Sequence, residues 1–123
     1  MKVLGIGNDI VEISRIQKAL SRKGFKERVF TLEEIAQIEK KGGKIESYAG
    51  RFSAKEAISK AFGTGVRGFE LVDIEILNND LGKPVVNLFG SLKEREEKIE
   101  IQISISHCKE YATAVAIVIE KER

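Results

Sequence analysis

The chain is 123 residues long with 42% apolar content, enough for one modest core and about one domain, residues 1–123. Its 21 Lys and Arg against 19 Asp and Glu leave a net charge of +2, which argues against a general nucleic-acid binder and confines any basic surface to a local stretch. The one cysteine, Cys108, cannot form an intrachain disulfide, and there is neither a signal-like N-terminal segment nor a long apolar run. The expectation is a soluble cytoplasmic protein with no membrane partner.

The opening MKVLGIGNDI predicts a short strand broken by Gly5 and Gly7 that ends near Asn8–Asp9, so Asp9 is expected at a strand-to-helix junction. Ile13, Ile16, Ala19 and Leu20 then follow helical spacing between Val11 and Arg22. In TLEEIAQIEKKGG, Thr31 and Glu34 match a capping box, Leu32, Ile35 and Ile38 form the expected buried stripe, and Gly42–Gly43 stop the helix. Residues 44–62 read as the longest helix, terminated by Gly63, with Glu56 and Lys60 sharing one face. After GTGVRG the pattern changes to alternation: Val72, Ile74 and Ile76, the turn NNDLGK and the run PVVNLF predict a hairpin. SLKEREEK reads as a short solvated helix, and IEIQISISH and YATAVAIVIE as strands joined by CKE. Helices in the first half and strands in the second predict an α+β fold.

Few residues carry chemistry. Asp9, after Gly5-Ile6-Gly7, is either a carboxylate presented to a cleft or the N-cap of the helix that follows. Glu56 and Lys60 are either an exposed i,i+4 ion pair worth about 0.2–0.5 kcal/mol or a buried carboxylate that needs a cation. Lys55 and Glu56 are the only charges between Arg51 and Lys60, which favours burial at Glu56. If Asp9 and Glu56 converge, two hard oxygen ligands with the other positions left to water and phosphate suit Mg²⁺, and Lys60 reaches the same phosphate as a point charge.

GTGVRG lacks the ending of a Walker loop and follows a helix, so it is a cap and turn that at most lets a ligand pass close to the backbone. His107, the single histidine, sits at a strand end, where a structural role is the plain alternative, and strand alternation points it away from Cys108, which argues against a Cys–His dyad. The stretch RIQKALSRKGFKER holds six basic residues against Glu27. With Leu20 and Phe25 among them, it suits either a solvated helix face or the docking of an acidic protein helix.

Three separated blocks, GIGNDIVEISRI (5–16), RFSAKEAISKAFGTG (51–65) and ISISH (103–107), closely resemble the signature blocks of the holo-acyl-carrier-protein synthases, the small bacterial 4′-phosphopantetheinyl transferases. The resemblance spans the chain and implies that family's α+β fold. It also implies transfer of 4′-phosphopantetheine from coenzyme A to a serine of apo acyl carrier protein, with release of adenosine 3′,5′-bisphosphate, in support of fatty acid biosynthesis. Carried over by position, Asp9 and Glu56 look like ligands of Mg²⁺, with Mn²⁺ as the alternative, and Glu56 and Lys60 like the catalytic pair. Arg51, Lys60, Gly63, Thr64, Gly65, Lys83, Pro84 and His107 match positions that contact coenzyme A. Arg15, Phe25 and Arg28 match the helix that receives the acidic carrier protein. Members are usually homotrimers with active sites between subunits. Phe52 stands where many members have tryptophan, and Cys108 where serine or threonine is common. Two other classes compete for the same residues: a non-catalytic protein-binding module built on the basic stretch, and a Mg²⁺-dependent phosphohydrolase.

Overall fold

In a computed structural model describing residues 1–122, strand β1 (Lys2–Glu12) leads into α1 (Ile13–Leu20), α2 (Phe25–Val29), α3 (Leu32–Lys40) and the long α4 (Ile45–Phe62). The hairpin β2 (Ile74–Asn78) and β3 (Pro84–Leu88) follows, then β4 (Ile99–His107) and β5 (Tyr111–Glu120). β5 lies between β1 and β4 in an antiparallel sheet, and β2–β3 form a separate two-stranded unit. The architecture is the expected α+β arrangement, with helices packed on antiparallel strands. No helix among the described residues is long and apolar enough to cross a membrane.

The packing of α4 follows from small residues. Along β5, Ala112, Ala114, Ala116 and Val118 are buried on the face that meets α4, and α4 answers with Ala54, Ala57 and Ala61. On β1 the contact tightens further: a Cβ at Gly5 would lie 1.9 Å from the Ala61 carbonyl oxygen, and one at Gly7 2.1 Å from that of Ala57. Only glycine lets strand and helix approach so closely. Ile58, Ile74, Ile76, Leu88 and Leu92 continue this core toward the hairpin, and a second core gathers Ile13, Ile16, Phe30, Ile38 and Tyr48 beneath the first three helices.

Five local expectations are revised. β1 runs on to Glu12, with Asp9 opposite Ala114, so Asp9 is a mid-strand residue, and Glu12 rather than Asp9 is the N-cap of α1. α1 ends at Leu20, and the basic stretch bends into the separate α2 through Gly24, whose φ of +87° favours glycine. Thr31 and Glu34 do form the capping box of α3, but Leu32 is 80% exposed while Glu34 is fully buried. Glu34 turns inward because it accepts hydrogen bonds from Lys55 Nζ (2.8 Å) and from the Ile76 amide (2.8 Å). Finally, residues 90–95 form a 3₁₀ turn that buries Leu92 where a solvated helix is predicted, and Val72 lies in a turn ahead of β2.

The fully buried charge of α4 is Lys55, not Glu56, which is only half-buried. Besides Glu34, Lys55 Nζ donates to the carbonyls of Leu71 (3.1 Å) and Ile74 and lies over the Phe30 ring. All three ammonium donors are thus satisfied, as a charge removed from water requires.

The Gly7→Ala substitution should destabilise the protein by at least about 1–3 kcal/mol, the usual cost of overpacking, because backbone rather than a movable side chain blocks the new methyl group. Gly65→Ala, with no atom within 4 Å of its Cβ, should change stability little. Thermal denaturation of the two variants checks both; an unaltered midpoint in Gly7→Ala would contradict the close contact.

Candidate active site

Strand alternation puts Asp9 on the same side of β1 as Gly5 and Gly7, facing α4. Helical spacing brings Ser53, Glu56, Ala57 and Lys60 to the side of α4 that meets it, in the pattern i, i+3, i+4, i+7. Lys60 Nζ donates to Asp9 Oδ1 (3.1 Å) and to the Asn8 carbonyl (3.0 Å). Ser53 Oγ donates toward Asp9 Oδ2 (3.2 Å) and the Asp9 carbonyl (3.1 Å), which Thr113 Oγ1 also engages at 2.7 Å. The Asp9 side chain is only 14% exposed, whereas that of Lys60 is 57% exposed, so the ammonium stands at the rim of the cluster.

Burial raises the Glu56 pKa above the ordinary carboxylate value, the nearby Asp9 carboxylate raises it further, and Lys60 opposes both. Two carboxylates and one lysine therefore share a partly dry patch with an excess of negative charge. No cluster of three or more His, Cys, Asp or Glu is placed to hold a metal among the described residues. A two-carboxylate set that leaves most positions to water and ligand oxygens fits the demands of Mg²⁺ and not those of a closed zinc site.

A second feature lies toward the β4 edge: a cleft of about 410 Å³ lined in part by Gln37, Arg51, Asn78, Pro84 and His107. Arg51 is 6% exposed; its Nη2 donates to Gln37 Oε1 at 2.6 Å, while its Nη1 is buried with no partner. Burial lowers the guanidinium pKa, and the carboxylates of Glu34 and Glu75 oppose that shift. A buried cation with an unpartnered donor beside a cleft has the chemistry to accept an anion.

Within one chain the two features do not meet. Lys60 follows Arg51 by nine residues, ~13 Å along the axis of α4 and ~180° around it. Asp9 on β1 and His107 on β4 occupy opposite edges of the sheet, about two strand spacings or 10 Å apart, with β5 between them.

The remaining predicted residues are dispersed. Gly63, Thr64 and Gly65 form an exposed 3₁₀ turn capping α4, Lys83 is exposed beside Pro84 at the start of β3, and His107 is exposed at the end of β4. Arg15 and Arg28 are exposed, but Phe25 is half-buried, with its ring 6.3 Å from that of Phe52. Sequence reasoning missed Ser53, Thr113 and Gln37. The first was accessible, because it shares the helical phase of Glu56 and Lys60; the other two meet their partners only through tertiary packing.

The sequence profile of the 4′-phosphopantetheinyl transferase superfamily matches residues 5–116. A holo-[acyl-carrier-protein] synthase of Fusobacterium nucleatum is 56% identical over 121 residues, covering 95% of this chain and 99% of that protein. One from Clostridium beijerinckii is 53% identical over 118 residues, covering 94% and 96%. Among solved structures, the Bacillus anthracis holo-(acyl-carrier-protein) synthase in complex with CoA (3′,5′-ADP) superposes with a TM-score of 0.79 at 38% identity, covering 97% of this chain and 98% of that one. The Plasmodium yoelii acyl carrier protein synthase with ADP bound reaches a TM-score of 0.85 at 34% identity, with 98% of each chain covered.

A raised carboxyl pKa means that protonated Glu56 contributes stability that is fully present below the ordinary value of 4.5 and is lost as pH rises through the folded-state value. Metal-free wild-type protein should therefore lose stability relative to Glu56→Gln as pH is raised from about 4.5 toward neutrality. Calorimetry of both proteins across that range checks this, and a constant difference in Tm would show that Glu56 is not strained by its surroundings.

Proposed function

Because the chain belongs to the 4′-phosphopantetheinyl transferase superfamily, among the holo-[acyl-carrier-protein] synthases, we propose that it transfers 4′-phosphopantetheine from coenzyme A to a serine hydroxyl of apo acyl carrier protein. Adenosine 3′,5′-bisphosphate leaves, the reaction depends on Mg²⁺ with Mn²⁺ as a substitute, and the product supports fatty acid biosynthesis in the cytoplasm. The whole chain, residues 1–123, acts as one transferase domain. The observation that carries this reading is the convergence of Asp9, Glu56 and Lys60 where β1 crosses α4.

In this reading Asp9 and Glu56 hold the divalent ion. When bound, it supplies positive charge to the pyrophosphate of coenzyme A. Lys60 has two of its three donors occupied by Asn8 and Asp9, which leaves one for the oxygen on which charge develops as the phosphorus–oxygen bond breaks. Glu56, directly or through a water held at the site, is the candidate to accept the serine proton while the serine oxygen forms the new bond to phosphorus. The protein needs no nucleophile of its own.

The unpartnered Nη1 of Arg51 supports coenzyme A binding in the cleft with Pro84 and His107, with Lys83 next to Pro84, while the turn Gly63–Gly65 would meet coenzyme A at the Lys60 end of α4. Separation of this cleft from Lys60 around α4 supports a homotrimer in which each site draws on two subunits. So does the outer face of the sheet, where Ile6 (68%), Ile10 (66%) and Val115 (41%) are exposed together. The carrier protein docks on the basic surface of α1 and α2 through Arg15 and Arg28, with Phe25 beneath them as an apolar contact.

Incubation with coenzyme A, Mg²⁺ and apo carrier protein should add one phosphopantetheine to the carrier, read by mass spectrometry. Release of phosphate with an unmodified carrier would instead identify a phosphohydrolase. Glu56→Gln should lower kcat by about 10²–10³-fold, the scale of losing one preorganised charge-stabilising group. Reversing Arg15 or Arg28 to Glu should raise the KM for the carrier several-fold and flatten its salt dependence while leaving the KM for coenzyme A unchanged. An unaltered carrier KM would move the docking face elsewhere.

A further inference from the structure

The side-chain amide of Gln37 on α3 makes three hydrogen bonds at the mouth of the cleft. Oε1 accepts from Arg51 Nη2 (2.6 Å) and from the Asn78 amide (2.9 Å), and Nε2 donates to the Asn78 carbonyl (2.8 Å). The two contacts to the Asn78 backbone fix which end of the amide is oxygen, because the carbonyl needs a donor and the N–H an acceptor. Oε1 must therefore face the guanidinium. Asn78 closes β2 and pairs with Pro84 across the hairpin, so the same amide sets the hairpin strand that carries Pro84 into the cleft.

We propose that Gln37 is a positioning residue for anion capture: it anchors one edge of the Arg51 guanidinium to the end of β2 and thereby presents the unpartnered Nη1 edge to a ligand phosphate in the cleft. This deepens the coenzyme A reading and rests on it. Arg51 comes from α4, Asn78 from β2 and Gln37 from α3, and Gln37 is the one side chain that touches both of the others. The guanidinium is a planar fork whose hydrogen bonds depend on orientation, so fixing one edge determines where the other can reach. Without that anchor the cation keeps its charge but loses its aim.

The test is a double-mutant cycle read by isothermal titration calorimetry with coenzyme A as the probe. Gln37→Leu should weaken binding about tenfold, the scale of one well-formed hydrogen bond to a charged group. In an Arg51→Gln background the same substitution should change affinity by less than about twofold, because its effect runs through Arg51. In turnover, Gln37→Leu should raise the KM for coenzyme A far more than it lowers kcat, whereas a merely structural loss would depress kcat and Tm together and would persist in the Arg51→Gln background. An equal loss in both backgrounds, or none in either, would overturn the proposal. Should Gln37→Leu not fold, Gln37→Met, which keeps the length of the side chain but removes the amide oxygen, takes its place, and wild-type affinity in that variant would overturn the proposal equally. If the wild-type protein fails to bind coenzyme A, the functional reading falls and this inference with it, whereas binding by wild type with additive mutants removes only the role of Gln37.

Discussion

The site depends on one contact: the backbone of β1 lies directly against the backbone of α4. Gly5 and Gly7 on the strand meet the carbonyls of Ala61 and Ala57 on the helix, with no room for a side chain between. Two residues past Gly7, on the same face of the strand, Asp9 reaches the groups spaced around Ala57, namely Ser53, Glu56 and Lys60. A methyl group at either glycine would push the elements apart, and the 3.1 Å bond from Lys60 to Asp9 tolerates little further displacement. The residues that build the site and those that set its spacing are thus interleaved along two short segments.

Charge is distributed in two layers around α4. Where β1 crosses α4, burial and the Asp9 carboxylate raise the cost of ionising Glu56, and Lys60 offsets it only in part; the patch is better balanced with a cation present than without. Such strain is common where a site is arranged for a ligand and not for the resting fold. Inside, Lys55 and Glu34 form a fully buried pair whose remaining donors and acceptors are met by backbone groups of the loop before β2 and of β2 itself. Burying two charges gains little net stability, but removing either partner would strand the other. The pair acts as a pin that fixes α3 and the hairpin against α4, and it holds the frame in which Gln37 meets Arg51.

The two sides of α4 divide the work. One carries the carboxylates and the lysine; the other carries a buried arginine with a free donor at a cleft shared with the hairpin. An elongated polyanion that touched both within a single chain would have to cross the helix. A neighbouring copy can bring the second half into reach, and the apolar residues left on the outer face of the sheet offer it a surface. On a near-neutral chain, six of the 21 basic residues, between Arg15 and Arg28, cluster on α1, α2 and the turn joining them as a local basic surface.

Much of this was legible from the sequence, and the limits have physical causes. The α+β order, the capping box at Thr31–Glu34, the extent of α4 and the alternation in β5 follow from local periodicity and capping chemistry, which act over a few residues. The three blocks carried the family, because residues that must meet one substrate are fixed in type and spacing. Periodicity could not tell that β1 continues through Asp9, since a strand whose inner positions are glycines looks like a loop until α4 is seen to press on it. Nor could it tell that Lys55 and Glu34 are the buried charges: 21 residues apart, each is an ordinary surface residue by local rule, and only the packing of α3 on β2 removes both from water. The same packing decided the orientation of Arg51. Sequence by itself determined which groups carry the chemistry; tertiary structure alone decided which are drawn together and which are left with a free donor, because desolvation and close approach arise only when distant segments meet.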